Sequence, residues 1–103
     1  MPTVFFLARL RPGVAQDAYE RWVREFDYPT ASSIPSIVSY RTHRLIGPYR
    51  KADVHYDYIE VVEVTDIEAY RRDLQELPQA QELRRQIVQY LEPSDSFWGY
   101  RLE

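Results

Sequence analysis

Two kinds of hydrophobic spacing alternate along the chain. Four segments are rich in β-branched and aromatic residues, a composition that favours extended strands. They cover residues 3–10, 37–45, 55–64 and 96–102. Pro12-Gly13 follows the first segment and Gly47-Pro48 follows the second, and both dipeptides are typical of turns. The chain is therefore predicted to contain four strands.

The stretch between the first two strands has helical spacing. Over residues 14–26, apolar residues recur every three or four positions and charged residues fill the places between them, which predicts an amphipathic helix. We expect this helix to end near Asp27, because Tyr28 precedes Pro29 and the residue before a proline disfavours helical geometry. A polar loop over residues 30–33 would then lead into the second strand.

A second helical region lies between the third and fourth strands. Thr65 and Glu68 have the spacing of a capping box, with a hydroxyl at the N-cap and a carboxylate three residues later. Pro78 divides the region, since proline is accepted as the first residue of a helix but not inside one. We expect two helical pieces, of which the second includes Leu91 and ends at Pro93.

The order of elements is β-α-β-β-α-β, the pattern of ferredoxin-like α+β proteins. Residues 1–103 thus form a single predicted domain, with an antiparallel sheet and both helical regions on one face. The other face would be uncovered, and we expect Phe5, Tyr40, Tyr58 and Trp98 to lie on it. A monomer rarely exposes such an apolar surface. We therefore expect a homodimer in which two sheets pack together as a dimeric α/β barrel.

Composition narrows the classes of function. The net charge of −3 gives no electrostatic reason to expect binding to nucleic acid. No apolar stretch approaches the roughly 18 residues that cross a bilayer, the first residues do not resemble a secretory signal, and cysteine is absent. We therefore expect a cytoplasmic protein that does not bind membranes. The nine Tyr, two Trp and four Phe residues favour an interface or a flat aromatic ligand, or else they fill a small core.

Short motifs distributed along the chain carry a family resemblance. They are the helix that bears Trp22, residues 27–30 (DYPT), residues 34–40 (IPSIVSY), and residues 58–60 (YIE) followed by 65–66 (TD). On these motifs the chain resembles the RedY-like proteins, small dimeric α/β-barrel proteins found in gene clusters for prodiginine and related pyrrole or indole alkaloids. The resemblance extends over essentially the whole chain.

The resemblance implies an activity in specialised metabolism. A RedY-like protein would act on a reactive, aromatic, nitrogen-containing intermediate, so the expected partner is a small substrate of the pyrrole or indole type. The reaction would be a cyclisation, condensation or dehydration that requires no cofactor. The wider α/β-barrel superfamily also contains cofactor-free monooxygenases, so an oxygenase is a second interpretation. A protein that only binds the intermediate and protects it is a third.

Without a cofactor, such a protein depends on acids and bases inside a cavity, which we expect the dimer to close. His43, in the second predicted strand, and His55, at the start of the third, titrate near neutrality and are candidate proton carriers. The alternative is that each is an ordinary surface histidine. Metal binding by these histidines with Asp57 or Glu60 is only weakly indicated by one His-x-Asp spacing, and no metal is predicted.

Two carboxylates are further candidates. Glu60 lies in the middle of the third predicted strand among apolar neighbours, where burial would raise the pKa of its carboxyl group and make it an acid or base. The alternative is that Glu60 pairs with Arg41 or Arg9 on a neighbouring strand. Asp27, in the DYPT motif, either caps a loop or orients a catalytic histidine.

Tyrosines at alternating strand positions are candidates for substrate binding, because a phenol forms hydrogen bonds and its ring stacks on a pyrrole or indole. Cross-strand aromatic packing is an equally good explanation, and a bulge in the third strand would exchange the side chains that face the cavity. The predicted catalytic residues are thus His43, His55, Glu60 and Asp27, and the predicted substrate-binding residues are Tyr40, Tyr56, Tyr58, Trp98 and Arg41.

Overall fold

Four strands form one antiparallel sheet in the computed structural model, which describes residues 1–92 and 95–103. The strands are β1 (Pro2–Ala8), β2 (Ile37–Arg44), β3 (Tyr58–Val64) and β4 (Asp95–Tyr100). Their order across the sheet is β2-β3-β1-β4, and every neighbouring pair is antiparallel. This topology confirms the predicted ferredoxin-like α+β fold.

Helical segments follow β1 and β3. In the described residues they are α1 (Gln16–Trp22), a π-helical segment (Val23–Asp27), α2 (Tyr28–Ser32), α3 (Ile67–Glu76) and α4 (Pro78–Ile87). The start of α4 at Pro78 confirms the prediction, because proline at the first helical position gives up no hydrogen bond. Within this part of the chain, no helix is both long enough and apolar enough to cross a membrane.

The helix that follows β1 continues past Asp27, so its predicted end there is wrong. Tyr28 has helical backbone angles of φ −60° and ψ −50°, and its N–H donates to the carbonyl oxygen of Val23, five residues earlier. This wider π turn leads directly into α2, where Pro29 lies in the first two positions and needs no donor. Residues 30–32 are therefore helical and do not form the predicted polar loop.

Other element boundaries also differ from the predictions. β3 begins at Tyr58, so His55 lies in the loop before it. The N-cap of α3 is Asp66, whose side chain accepts a hydrogen bond from the amide of Ala69 at 2.8 Å. The predicted capping box, which began at Thr65, was therefore placed one residue too early.

Helix α4 is shorter than the hydrophobic spacing predicts. The helix ends at Ile87, so Leu91 is not helical as predicted but forms an isolated bridge with Leu10. The predicted stop at Pro93 lies outside the described residues.

The register of the sheet decides which side chains face the helices. Paired residues of antiparallel strands point to the same face, and the buried residues Val4 and Val62 identify the face that the helices cover. Tyr40 pairs with Val62, and Trp98 pairs with Val4. Both therefore lie on the covered face and not, as predicted, on the uncovered one.

Two further residues test the predicted faces. Tyr58 pairs with Ala8 and is 2% exposed, so it too belongs to the covered face and its predicted position is wrong. Phe5 pairs with Val61 on the uncovered face, as predicted. The alternation of buried residues along β1 and β3 decides all these positions.

An irregularity in β2, between Ile37 and Ser39, explains the error for Tyr40. Ile37 pairs with Val64 and Tyr40 pairs with Val62, so both face the helices although they are three positions apart. A bulge adds one residue to a strand and thereby exchanges the faces beyond it. A bulge in β3 would have the same effect, but the structure has the irregularity in β2.

Two buried clusters pack between the sheet and the helices. One contains Ala8, Tyr19, Trp22, Val23, Tyr58 and Leu91, and the other contains Val4, Val62, Val64 and Tyr70. The ring centroids of Tyr19 and Tyr58 are 4.7 Å apart, with the edge of one ring against the face of the other. Several aromatic residues thus serve the core, one of the two interpretations of the aromatic content.

Candidate functional site

A cavity of about 590 Å³ lies between the sheet and helices α3 and α4. Its volume falls within the range of about 300–1,000 Å³ that is usual for sites that bind small molecules. The apolar lining residues include Phe6, Ala31, Ile34, Ile37, Leu74, Leu83, Ile87 and Leu91. The cavity is formed by one chain between its own sheet and helices.

Glu60 contributes a carboxyl group to the cavity wall from the middle of β3. The residue is 5% exposed, and its Oε1 accepts a hydrogen bond from the Tyr19 hydroxyl at 3.4 Å. Burial raises the pKa of Glu60 to about 7, and the hydroxyl groups of Tyr40 and Tyr19 act in the opposite direction. The apolar neighbours of Glu60 thus correctly predicted a desolvated carboxyl group.

The two arginines considered as partners of Glu60 lie elsewhere. Arg41 is exposed, pairs with Val61 on the uncovered face, and donates to the backbone carbonyl of Tyr40. Arg9 lies 3.7 Å from the carboxylate of Glu92. The ion pair proposed as the alternative role of Glu60 is therefore absent from the described residues, and Arg41 does not reach the cavity.

Asp27 is the last residue of the π-helical segment and is fully buried. Its Oδ2 accepts a hydrogen bond from the Tyr40 hydroxyl at 3.0 Å, whereas its Oδ1 has no partner in the described residues. Burial, followed by the negative charge of Glu60, raises the pKa of Asp27 to about 8. Asp27 neither caps a loop nor contacts a histidine, so the structure gives it a different setting from either one predicted.

Tyr40 connects the two carboxyl groups to the cavity. Its ring lines the cavity, its hydroxyl donates to Asp27, and burial raises the pKa of its phenol well above the ordinary value. Two carboxyl groups that share one buried environment do not ionise independently, because like charges repel strongly where water is excluded. The site therefore consists of Glu60 and Asp27 as a coupled carboxyl pair, with Tyr40 and Tyr19 as hydrogen-bond donors.

The histidines lie outside this site. His43 is exposed and pairs with Ile59 on the uncovered face. The side chain of His55 is 71% exposed, and its Nε2 lies 2.8 Å from Oδ1 of Asp57, whose Oδ2 accepts from the amide of Leu10. Across residues 1–92 and 95–103, no cluster of three or more His, Asp or Glu side chains has the arrangement of a metal site.

Three predicted substrate-binding residues do not line the cavity. The hydroxyl of Tyr56 donates to Asp95 at the sheet edge, and the hydroxyl of Tyr58 donates to Glu20 at 2.7 Å. Trp98 is 49% exposed and its ring packs edge-on against that of Tyr100. Among the predicted substrate-binding residues, only Tyr40 is part of the described cavity wall.

Sequence reasoning missed Tyr19 and Tyr70. Tyr19 follows the apolar stripe of α1 and was therefore counted as core, although a buried phenol needs a hydrogen-bond partner. That requirement is the signal that could have linked it to a buried acid such as Glu60. Tyr70 faces the cavity from α3, and its spacing likewise indicated only the core.

Solved structures with similar folds support this description. HapK from Hahella chejuensis is 30% identical in sequence with a TM-score of 0.84, covering 99% of this chain and 93% of that one. A dabb family protein with a ferredoxin-like fold from Mesorhizobium loti is 17% identical with a TM-score of 0.75, covering 99% and 97%. A dimeric ferredoxin-like protein of unknown function from Thermobifida fusca is 18% identical with a TM-score of 0.72, covering 95% and 88%. At these lower identities, the last two show the fold alone.

Sequence comparison identifies the family. No curated protein matches the chain significantly. The family described as REDY-like protein HapK matches residues 2–102, which is nearly the whole chain. This match confirms the resemblance inferred from the DYPT and IPSIVSY motifs. The chain therefore belongs to the REDY-like HapK family of proteins.

Proposed function

We propose that the protein is a cofactor-independent enzyme of pyrrole or indole alkaloid biosynthesis. It would hold a reactive aromatic intermediate in the cavity and promote its cyclisation, condensation or dehydration by proton transfer. The observation that carries the proposal is the carboxyl group of Glu60, buried in the cavity wall with a pKa raised to about 7. Such a group is present in both protonation states near neutral pH, so it can accept a proton and return it in the same turnover.

The proposed step needs only one proton carrier. Ionised Glu60 removes a proton from an N–H or an acidic C–H of the substrate, and the released electron pair forms the new bond to an electrophilic C=O or C=N carbon, whose π electrons move onto the heteroatom. Protonated Glu60 then returns the proton to the product, or to a departing hydroxyl group that leaves as water. Atoms and charge balance, and no electron is gained or lost.

Asp27 and Tyr40 act as positioning residues in this proposal. With a pKa of about 8, Asp27 is mostly protonated at neutral pH, so the carboxyl pair carries about one negative charge when Glu60 is ionised. The hydroxyl of Tyr40 holds Asp27 at 3.0 Å and places the Tyr40 ring in the cavity wall. This arrangement keeps Glu60 available to the substrate.

The lining of the cavity suits an aromatic intermediate. Apolar side chains from the sheet, from α2 and from α3 and α4 surround most of the space. They provide contact area for a flat ring and keep water away from a reactive intermediate, which strengthens the electrostatic effect of Glu60. An exposed carboxylate could not provide this environment.

We further infer that two copies of the chain pair through the uncovered face of the sheet. Phe5, Leu7 and Val61 lie on that face, and Phe97 of β4 is 62% exposed. The relative from Thermobifida fusca is described as dimeric. Packing two such faces together would remove from water an apolar surface that monomers rarely expose.

Liquid chromatography with mass spectrometry tests the proposed activity. The purified protein is incubated with the pyrrole or indole intermediate made by the enzymes of its own gene cluster, without added cofactor, in air and without oxygen. A product formed equally in both conditions, with the mass of the substrate or one water less, supports proton-transfer chemistry. Product only in air indicates an oxygenase, and saturable binding without product indicates a binding protein.

The matched variants Glu60→Gln and Glu63→Gln test the role of Glu60. Glutamine preserves the size of the side chain but cannot take up a proton, so Glu60→Gln is expected to lower product formation by about tenfold or more. Glu63 lies on the same strand and the other face, so Glu63→Gln should retain the wild-type rate. Wild-type turnover in Glu60→Gln would remove Glu60 from the mechanism.

A further inference from the structure

Two arginines line the helix side of the cavity, across from the sheet residue Glu60. Arg71 projects from α3 and Arg84 from α4. Arg71 lies 2.9 Å from Glu68 in an exposed ion pair, and such a pair is weak. Arg84 forms no ion pair within the described residues. The helix wall of the cavity therefore presents an uncommitted guanidinium group.

Tyr70 shows that this charge acts on the cavity. Burial, followed by the negative charges of Glu60 and Asp27, raises the pKa of the Tyr70 phenol, and the positive charge of Arg84 opposes the shift. Tyr70 also lines the cavity. Tyr70 is therefore close enough to both the carboxyl pair and Arg84 for their charges to act on its phenol.

We propose that the substrate is an aromatic acid, whose carboxylate binds to Arg84 while its ring lies against the apolar lining and its reacting centre faces Glu60. The planar guanidinium donates two parallel hydrogen bonds that match the geometry of a carboxylate. Arg71 supplies a second positive charge at the same wall. Only the orientation toward Glu60 rests on the proposed function; the anion site follows from the lining residues themselves.

The anionic class is favoured over neutral or cationic aromatic ligands. A cationic ring substituent at this wall would meet two arginines, and a neutral one would leave Arg84 without a charged partner. The chain as a whole carries a net charge of −3, so an anion gains no general attraction from the protein surface. Selective binding of an anion would therefore report the local charge of this wall.

Binding of indole-3-acetate and of its uncharged analogue indole-3-acetamide tests the inference with the full chain. Calorimetry at low salt is expected to show the acid bound about tenfold more tightly than the amide, the effect of one charge-assisted interaction. Added salt should reduce this ratio, because Arg84 is exposed to solvent. Arg84→Gln should bring the ratio close to one, with the affinity for the amide unchanged.

Arg85→Gln is the matched control, since Arg85 is the next residue of α4, pairs with Glu82 and does not line the cavity. It should retain the wild-type preference for the acid. Equal binding of acid and amide by the wild-type chain, binding of neither, or a preference that survives Arg84→Gln would overturn the inference.

Glu60→Gln separates this inference from the proposed function. The variant should still prefer the acid, because Glu60 lies on the sheet side of the cavity. A preference for the acid in a wild-type chain that shows no turnover supports the anion site and contradicts the proposed chemistry. Normal turnover without the preference supports the chemistry and contradicts the anion site.

Discussion

The two faces of the sheet carry the same kinds of side chain in different surroundings. Glu60 and Glu63 are three residues apart on β3, so they point to opposite faces. Glu60 is 5% exposed beneath the helices, and its pKa is raised to about 7. Glu63 is half-buried on the uncovered face, where its Oε1 accepts a hydrogen bond from the Ser39 hydroxyl at 2.9 Å. The position in the pleat, and not the residue type, therefore decides which carboxylate is suited to proton transfer.

Two carboxyl groups on the covered side of the sheet are buried without a cation beside them in the part of the chain that the structure describes. Glu60 and Asp27 are both buried, yet neither forms an ion pair within the described residues. Buried carboxyl groups without a cation destabilise a fold, and such departures from good packing concentrate at functional sites. On the uncovered face, by contrast, Arg41 and His43 are exposed to solvent. This contrast favours the proposed proton transfer on the covered face and leaves the other face for the proposed pairing of two chains.

Substitutions of two adjacent valines of β3 are expected to differ most in their effect, because the two side chains lie on opposite faces. Val62 is fully buried on the covered face, so Val62→Glu is expected to prevent folding, because it would place another carboxylate in the core. Val61 lies on the uncovered face. Val61→Glu should leave the chain folded by circular dichroism and convert a wild-type dimer into a monomer in analytical ultracentrifugation. A wild-type chain that sediments as a monomer would contradict pairing through this face.

The pH dependence of stability is the next test, and it concerns the covered face. The folded pKa values of Glu60 and Asp27, about 7 and about 8, exceed their ordinary values of 4.5 and 3.8. Between the ordinary and the raised values, the folded chain holds protons that the unfolded chain has lost, so the free energy of unfolding falls as pH rises. We expect a fall on the order of 3 kcal/mol or more between about pH 5 and about pH 8.

Urea unfolding at a series of pH values measures this effect. Glu60→Gln should remove part of the slope, because it removes one carboxyl group and the charge that adds to the raised pKa of Asp27, whereas burial still keeps that pKa raised. Asp27→Asn should remove the part of the slope that extends to about pH 8. Glu63→Gln should keep the wild-type slope. A wild-type stability that is constant across this range would contradict the buried carboxyl pair.

Much of the fold could be predicted from the sequence, because strands and helices leave different periods in the hydrophobic pattern. The four strands, the break at Pro78 and the burial of Glu60 all follow from local spacing. The end of the first helix could not be predicted from local spacing, because the π turn at Val23–Asp27 allows the helix to continue through Pro29. The same turn places Asp27 in the core. The wrong helix end therefore also gave Asp27 a wrong predicted position, in a loop and not beside Glu60 and Tyr40.

The rest of the site depends on contacts that no local pattern records. Tyr40 reaches the covered face only because β2 is irregular after Ile37. Arg84 resembles any polar residue of an exposed helix until α4 is packed over the sheet and the cavity forms beneath it. Histidine was favoured because its ordinary pKa is near neutrality, whereas in this fold burial moves the pKa of a glutamate to about the same value.

Substitution of His55 gives the smallest expected effect. It also tests most directly whether Glu60, and not a histidine, carries the proton. Its side chain is 71% exposed in the loop before β3, and its contact with Asp57 is a surface ion pair when the imidazole is charged. Because exposed pairs contribute about 0–1 kcal/mol, His55→Ala should change the stability by less than about 1 kcal/mol and leave the rate of product formation unchanged. Urea unfolding and the product assay measure the two quantities. A loss of turnover as large as that expected for Glu60→Gln would move the chemistry from the cavity to this loop.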